Sequence, residues 1–260
     1  MEEDGPGGWV VRGAGGHNCA GFCTSDGLVI DVKAMRSVRV DTTAGTATVG
    51  GGANNADLGA AFAAHGVYVP GGRCPTAGAS GLTLGGGWGF SCHHLGLTCD
   101  SLRSTALVTA SGETVTASAS ENPDLFWAVR GGAGGNFGVH TAFTYDVVPS
   151  GDVTVIRLQW SGGETAALID AVARMQASAP RELGLRLAVV SQSRQPPSQP
   201  SPLDVNVIDL FWESQADAEA SLAPVEQTQR ALARTVTRMS FSLAREFLAA
   251  ETPSGLYQVK

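Results

Sequence analysis

The stretch of sequence that decides the fold is Pro70–Phe90, which reads PGGRCPTAGASGLTLGGGWGF. Eight of its residues are glycine, and glycine interrupts both helices and strands. So few side chains predict that the stretch lies outside the hydrophobic core. They favour a backbone that passes very close to a flat or anionic group. A glycine-rich surface loop is the alternative that this stretch leaves open by itself.

The composition of the chain changes near Pro149. Residues 1–149 hold 29 of the 34 glycines and all five cysteines, whereas residues 150–260 hold five glycines and most of the alanine-rich helical patterns. This change predicts a domain boundary, with one domain at residues 1–149 and a second at residues 150–260.

Several kinds of partner are disfavoured by the composition. The net charge is −7 and the two lysines are Lys33 and Lys260, so nucleic acid and anionic membranes are poor partners. No apolar run of about 18 residues occurs, so no membrane span is expected. Met1–Pro6 is acidic and polar, unlike a signal peptide, and nothing indicates a localisation. The odd number of cysteines leaves at least one outside an intrachain disulfide.

Common catalytic and nucleotide-binding motifs do not occur in the sequence. None of the glycine clusters has the G-x-G-x-x-G spacing, which disfavours a Rossmann nicotinamide site. No Walker A, G-x-S-x-G or H-E-x-x-H motif is present, which argues against P-loop nucleotidases and nucleophile-elbow hydrolases. Cys92, His93, His94 and Cys99 are possible zinc ligands, but their spacing fits no common site, so no metal is predicted.

Local patterns predict strands and helices in both regions. In the first region we expect a strand at Trp9–Val11, a buried strand at Gly27–Val32, a hairpin of Ser37–Asp41 with Thr46–Gly50, a helix at Asn55–Gly66, strands at Leu102–Val108 and Thr114–Ala117, a short helix at Glu121–Arg130 opened by Pro123, and a strand at Val139–Val148. In the second region we expect a strand at Val153–Trp160, a helix at Glu164–Ala177, strands at Leu183–Val190 and Leu203–Trp212, and a helix at Ser214–Val236 that is kinked or broken at Pro224. The order β-α-β-β-α predicts an antiparallel sheet with helices on one face, and the whole chain reads as an α+β fold.

A series of motifs in the first region resembles those of a known family. The motifs are GGHNxAG at Gly15–Gly21, GLVID at Gly27–Asp31, VPGGxCPTxG at Val69–Gly78, GLTLGGGWGF at Gly81–Phe90, GLTCD at Gly96–Asp100, ENPDLFWAVRGG at Glu121–Gly132 and GNFGV at Gly135–Val139. In order and spacing they are similar to the berberine-bridge-enzyme-like FAD-linked oxidases of the vanillyl-alcohol-oxidase, or PCMH-type FAD-binding, superfamily. The match runs from about Arg12 to Pro149.

The resemblance implies a PCMH-type FAD-binding domain followed by part of a substrate domain. It also implies that FAD is bound covalently by two links, from His17 to the flavin 8α-methyl group and from Cys74 to flavin C6. A loop histidine and a buried free thiol are the alternative interpretations of these two residues. The other cofactor-binding residues that the resemblance implies are Gly15, Gly16, Asn18, Gly21, Pro75, Thr76, Gly78, Ala79, Gly81, Leu82, Gly85, Gly135, Asn136, Gly138 and Val139.

The activity implied by the resemblance is that of an FAD-dependent oxidase. An alcohol, a sugar or a secondary metabolite would give a hydride to flavin N5, and molecular oxygen would accept the electrons to give hydrogen peroxide. Ala79 falls near the position thought to control oxygen access, where a small residue fits an oxidase, and Leu203–Trp212 is the strand expected to contribute to the substrate cleft. The alternatives are a truncated or degenerate family member that holds no FAD and catalyses nothing, and a non-enzymatic binding protein.

The sequence departs from the family pattern in three respects. The interval from Arg12 to His17 is one residue longer than usual, and Ser80 stands where glycine is usual; either change could shift the backbone against the cofactor. Family members are much longer, so the chain looks truncated at both ends. The tyrosine-containing C-terminal motif that often supplies their catalytic base is not found in the sequence, and none of the three tyrosines has a base-like context, so no catalytic residue is assigned.

Overall fold

The computed structural model describes residues 7–12, 27–132, 136–160, 165–189, 203–209, 215–228 and 230–250. The chain divides into two compact units. The first comprises residues 1–89, 96–150 and 246–260, and the second comprises residues 90–95 and 151–245. None of the helices in the described ranges has the length and apolar character that crossing a membrane requires.

Strands and helices are interspersed along the whole of the described chain. In sequence order they are β1 (Gly7–Arg12), β2 (Gly27–Asp31), β3 (Val38–Asp41), β4 (Thr46–Gly50), α1 (Asn55–His65), β5 (Val67–Tyr68), α2 (Ala79–Leu84), α3 (Cys92–Leu95), a 3-10 helix (Thr98–Ser101), β6 (Leu102–Val108), β7 (Thr114–Ser118), α4 (Pro123–Val129), β8 (Val139–Asp146), β9 (Val148–Pro149), β10 (Asp152–Trp160), α5 (Thr165–Ser178), β11 (Leu183–Val189), β12 (Leu203–Asp209), α6 (Gln215–Glu226), β13 (Ala233–Ser240) and α7 (Phe241–Ala250).

A five-stranded antiparallel sheet forms the centre of the first unit, with its strands in the order β3-β4-β8-β6-β7. Val49, Leu107 and Phe143, on the three middle strands, are completely buried. The predicted hairpin β3–β4 is confirmed. The two strands predicted at Leu102–Val108 and Thr114–Ala117 are confirmed as β6 and β7, which pair with each other antiparallel. β1 and β2 form a separate parallel pair, and β5 pairs with β9.

Helix α1 begins and ends at the residues that the sequence signals indicate. The side-chain oxygen of Asn54 accepts the Asp57 N–H at 3.0 Å, and the Asp57 carboxylate accepts the Asn54 N–H at 3.0 Å. This reciprocal pair is a capping box. Gly66 ends the helix in the left-handed conformation, with φ of 63°, which glycine adopts without strain. Leu58 and Phe62 on the inner face of α1 join the core.

Two expectations about the first unit are wrong. The strand β2 is not buried, because Val29 is 41% exposed and β1 is its only partner strand among the described residues. The glycine-rich stretch does reach the core, because part of it folds into α2, whose Ala79 and Leu84 belong to the core cluster. A short helix with glycines on one face can still bury the side chains of its opposite face.

The second unit is a four-stranded antiparallel sheet in the order β11-β12-β10-β13. Along β10 the alternating residues Ile156, Leu158 and Trp160 are fully buried. They lie on one face of the sheet and form a core with Leu168 of α5 and Leu222 of α6. The expected antiparallel sheet with helices on one face is therefore confirmed for α5 and α6.

The predicted helix Ser214–Val236 is wrong in its second half. α6 ends at Glu226, shortly after Pro224, and Ala233–Ser240 forms β13, which pairs antiparallel with β10. Proline lacks the N–H that a helix interior needs, and the three β-branched residues at 235–237 favour a strand. Beyond the predicted β-α-β-β-α order, the chain therefore continues with the strand β13 and the helix α7.

Candidate functional site

The loop that contains Cys74 is attached to the beginning of α1. The backbone N–H of Ala56 donates to the carbonyl oxygen of Pro75 at 2.9 Å. The side-chain amide of Asn55 donates to the carbonyl oxygens of Gly72 and Cys74, each at 3.0 Å. The helix thereby holds the backbone on both sides of the Cys74 side chain.

The Cys74 side chain is partly exposed and forms no disulfide. Of the other described cysteines, Cys92 is also partly exposed and outside any disulfide, whereas Cys99 is buried. Burial, together with the nearby Asp100 carboxylate, raises the pKa of the Cys99 thiol, which makes its reactive thiolate form scarcer. The structure thus does not support the interpretation of Cys74 as a buried thiol.

Helix α2 follows the Cys74 loop and has bare backbone on one side. Gly81 and Gly85 are four positions apart, so they lie on the same face, and both are exposed. A Cβ atom added at Gly81 would meet no atom within 4 Å, so the packing of the protein does not require glycine there. The opposite face buries Thr83 and Leu84. The exposed face is therefore a surface on which a flat group can approach the backbone.

Other glycines of the same stretch are needed by the protein's own packing. A Cβ atom at Gly89 would lie 1.9 Å from the carbonyl oxygen of Gly71, and one at Gly87 would lie 2.2 Å from Oγ1 of Thr98. Gly87 and Gly89 are therefore required by internal contacts of the protein.

Gly51, a residue that sequence reasoning missed, connects α2 to the beginning of β8. Its carbonyl oxygen accepts a hydrogen bond from the Ser80 hydroxyl, and its N–H donates to the carbonyl oxygen of Thr141 at 2.9 Å. A Cβ atom on Gly51 would lie 2.1 Å from the carbonyl oxygen of His140. The sequence signal is the glycine triplet Gly50–Gly52 at the end of β4. The hydroxyl of Ser80 holds α2 to this triplet.

Three of the predicted cofactor-binding residues, Asn136, Gly138 and Val139, lie at or just before the start of β8. Gly138 has φ of +144°, and a Cβ atom there would lie 2.4 Å from the carbonyl oxygen of Val108. Val139 is half-buried and pairs with Val108. The exposed Asn136 donates its side-chain amide to the carbonyl oxygen of Gly132 at 3.1 Å. Gly138 is thus required by the sheet, whereas Asn136 lies at the surface.

The other residues predicted to bind the cofactor differ in their exposure to solvent. Pro75 and Thr76 are exposed, Leu82 is half-buried, and Gly78 and Ala79 are buried. The Ala79 methyl group is 2% exposed and packs in the core, so the core constrains the size of this residue. The predicted residues that lie outside the described ranges are Gly15, Gly16, His17, Asn18, Gly21 and Gly135.

Comparison with known proteins identifies the first part of the chain. Residues 8–118 match a family model described as an FAD binding domain. The chain carries an FAD-binding domain. It is 39% identical over 191 residues to the FAD-linked oxidoreductase pgmH of Aspergillus terreus, and this alignment covers 74% of the present chain and 39% of pgmH.

Two solved structures show that the similarity in fold extends beyond the FAD-binding domain. The 6-hydroxy-D-nicotine oxidase of Arthrobacter nicotinovorans matches with a TM-score of 0.82 at 30% identity, covering 95% of this chain and 53% of that protein. The BBE-like 1 protein of Physcomitrella patens matches with a TM-score of 0.78 at 28% identity, with the same two coverages. The resemblance to FAD-linked oxidases and the α+β fold expected from the motifs are confirmed. The chain spans about half the length of these structures and less than half that of pgmH.

The described part of the FAD-binding domain fits its cofactor at the surface beside Cys74. FAD is flat in its ring system and anionic in its phosphates, and an exposed backbone without side chains allows such a group to approach closely. The exposed face of α2 at Gly81 offers this surface, and it follows the partly exposed Cys74 closely in the chain. Within the described ranges, no group of three His, Cys, Asp or Glu side chains could hold a metal ion.

Two buried hydrogen-bonded pairs lie inside the first unit. The hydroxyl oxygens of Thr83 and Tyr145 are 2.7 Å apart, and both residues are fully buried. Burial raises the pKa of Tyr145 above its ordinary value, so the phenol stays protonated. Nδ1 of His140 lies 2.8 Å from Oγ1 of Thr105, which itself donates to the carbonyl oxygen of Ala142 at 2.9 Å.

The contacts of His140 determine its tautomer. A threonine hydroxyl has one hydrogen, and that of Thr105 is used on a carbonyl oxygen, so the imidazole donates from Nδ1. Burial lowers the pKa of His140 to about 4, so the ring is neutral near neutral pH. It stacks on Phe143, with ring centroids 5.3 Å apart. Sequence reasoning missed this pair because only the pairing of β6 with β8 brings Thr105 and His140 together.

Proposed function

We propose that the protein is an FAD-dependent oxidase whose flavin is held by two covalent bonds, to His17 and to Cys74. The observation that carries the proposal is the placement of Cys74 within an FAD-binding domain. Its thiol is partly exposed on a loop that α1 holds in place, and the loop leads directly into the bare glycine face of α2. A sulfur that must form a bond to a flat ring needs both access and a fixed position.

The proposed bond of Cys74 is a carbon–sulfur bond to flavin C6. The thiol and C6 each lose one hydrogen, and dioxygen takes up both hydrogens with their two electrons as hydrogen peroxide. The proposed bond of His17 has the same balance, because an imidazole nitrogen loses its hydrogen and replaces one hydrogen of the 8α-methyl group while dioxygen is reduced to hydrogen peroxide. Either bond keeps the flavin on the protein after denaturation.

The proposed reaction is the oxidation of an alcohol, a sugar or a secondary metabolite. FAD, held by His17 and Cys74, would supply the acceptor for a hydride from a substrate carbon, and dioxygen would be the final acceptor of the two electrons. An alcohol thereby loses two hydrogens and becomes a carbonyl compound, while dioxygen becomes hydrogen peroxide. The similarity to an FAD-linked oxidoreductase and to a 6-hydroxy-D-nicotine oxidase supports this reaction class.

The second unit is proposed to bind the substrate. Its strand β12 (Leu203–Asp209) is the described part of the strand Leu203–Trp212 expected at the cleft, and it pairs with β10 and β11.

Neither of the two described tyrosines, Tyr68 and Tyr145, is proposed as the catalytic base. The Tyr68 hydroxyl accepts the Gly71 N–H at 3.2 Å, and Tyr145 is buried with a raised pKa.

The proposal is tested by the flavin content of the purified full chain. We expect a yellow protein whose colour stays in the pellet after acid precipitation. His17→Ala and Cys74→Ala should each keep the pellet yellow through the remaining bond, and the double variant should release all its flavin to the supernatant. Cys92→Ala removes another partly exposed cysteine and should change nothing.

Three outcomes would contradict the proposal. A colourless, flavin-free protein would favour the alternative of a family member that holds no FAD. Flavin that stays in the pellet of the double variant would refute the assignment of His17 and Cys74. A flavin-loaded protein that releases no peroxide with any member of a panel of carbohydrates and aromatic alcohols, yet reduces an artificial acceptor with one of them, would refute the role of oxygen.

A further inference from the structure

Asn55 is the first residue of α1 and is only 4% exposed. Its Nδ2 atom lies 3.0 Å from the carbonyl oxygen of Gly72 and 3.0 Å from that of Cys74. Each carbonyl accepts one of the two hydrogens of the amide nitrogen. Because both neighbours are acceptors, the nitrogen rather than the oxygen of the amide must face them.

The residue before it, Asn54, has a different role. Its side-chain oxygen accepts the Asp57 N–H at 3.0 Å and caps α1. Of two consecutive asparagines, one therefore caps the helix and the other holds the loop. The same substitution at either position changes the charge and the side-chain volume equally, so Asn54 is a matched control for Asn55.

Gly72 allows the amide of Asn55 to come close to the loop. A Cβ atom at Gly72 would lie 3.3 Å from Nδ2 of Asn55, which is tighter than ordinary van der Waals contact. The hydrogen bond from the Ala56 N–H to the carbonyl oxygen of Pro75, at 2.9 Å, continues the same attachment. The backbone on both sides of Cys74 is thus fixed by consecutive residues of one helix.

We infer that Asn55 is a positioning residue for Cys74, whose thiol it holds in the place and direction required for bond formation with the flavin ring. The inference rests on the proposed link between Cys74 and FAD. Reacting atoms must approach to about 3–3.5 Å in the correct orientation. A loop rich in glycine has many conformations to lose, and two partly buried hydrogen bonds from one amide restrict it to one of them.

The test measures flavin held through Cys74 alone, in the full chain carrying His17→Ala. Asn55→Asp keeps the size of the side chain but puts an oxygen where the amide nitrogen faces two carbonyl oxygens. We expect the flavin retained in the acid pellet to fall at least about tenfold relative to His17→Ala by itself. Asn54→Asp, which introduces an equally good N-cap, should leave the retained flavin unchanged.

A second measurement does not depend on FAD. The rate at which a maleimide alkylates Cys74 in the flavin-free full chain, followed by peptide mass spectrometry, should rise in Asn55→Asp because the loop is released. It should stay unchanged in Asn54→Asp. Gly72→Ala pushes on the same amide from the loop side, so it should change both measurements in the same direction by a smaller factor.

The outcomes separate the inference from the proposed function. Unchanged flavin retention and unchanged alkylation in a folded Asn55→Asp protein would overturn the inference. If His17→Ala by itself retains no flavin, the Cys74 link fails, and the alkylation rates decide whether Asn55 still positions the thiol. If circular dichroism shows that Asn55→Asp does not fold, Gly72→Ala decides in its place.

Discussion

His140 should make the first unit sensitive to acid. The ring is 4% exposed, donates to Thr105 and stacks on Phe143, and burial lowers its pKa from 6.5 to about 4. As the pH falls, the unfolded chain takes up a proton on this histidine near pH 6.5, whereas the folded chain does so only near pH 4. Between these values protons favour the unfolded state, so the free energy of unfolding falls as the pH falls.

The two pKa values set the size of the effect. Their separation, at about 1.4 kcal/mol per pKa unit, limits the total loss due to His140 to about 3 kcal/mol. Between about pH 7.5 and about pH 5, the same values give a loss of about 2 kcal/mol. His140→Gln keeps an amide that can donate to Thr105 but removes the titration, so this variant should lose about 2 kcal/mol less than the parent chain over that interval.

The assay is urea unfolding of the full chain at a series of pH values, followed by tryptophan fluorescence. Carboxylates contribute equally to the parent and to His140→Gln, so the difference between the two curves isolates the histidine. His65→Gln is the matched control, because His65 is exposed on α1 in the same unit. Parallel curves for the parent and His140→Gln, or an equal flattening in His65→Gln, would refute the reasoning.

Three other substitutions test the packing. Thr154 is fully buried and its hydroxyl has no hydrogen-bond partner in the described ranges. Thr154→Val should therefore raise the free energy of unfolding by about 1 kcal/mol. A lower denaturation midpoint for this variant would contradict the prediction. Gly81→Ala should raise the free energy of unfolding by up to about 0.5–1 kcal/mol and reduce the flavin content. Gly89→Ala should lower the melting temperature, because its Cβ would lie 1.9 Å from a carbonyl oxygen. Equal melting temperatures for the two variants would be inconsistent with these contacts. Tyr145→Phe leaves the buried Thr83 hydroxyl unpaired, so it should lower the free energy of unfolding, measured by chemical denaturation, by about 1–3 kcal/mol. A change near zero would show that this hydrogen bond does not stabilise the fold.

Elements with local signals were predicted correctly. The N-cap Asn54, its partner Asp57 and the C-terminal Gly66 lie within a few residues of α1, and their interactions depend on that helix alone. The hairpin β6–β7 turns at Gly112, whose φ of +83° suits glycine. Such signals act between close neighbours in sequence, so the sequence shows them directly.

Two features that distant partners decide were predicted wrongly. Residues 233–236 were expected to continue a helix, but they pair with β10, which lies about eighty residues earlier in the chain. The burial expected for β2 also depended on its neighbours in space, and Val29 is 41% exposed. Local propensity is a weak guide where a sheet supplies the partner.

The ordered motifs of Gly15–Val139 determined by themselves that the chain carries an FAD-binding domain, and they pointed to Cys74 as a residue for the flavin. Only the tertiary structure separated the open face at Gly81 from the packed Gly89, and only it showed that Asn55 holds the Cys74 loop. The physical reason is that Asn55 binds carbonyl groups 17 and 19 positions away. Contacts of this kind exist only once the chain has folded back on itself, whereas glycine motifs and helix caps are complete within a few residues.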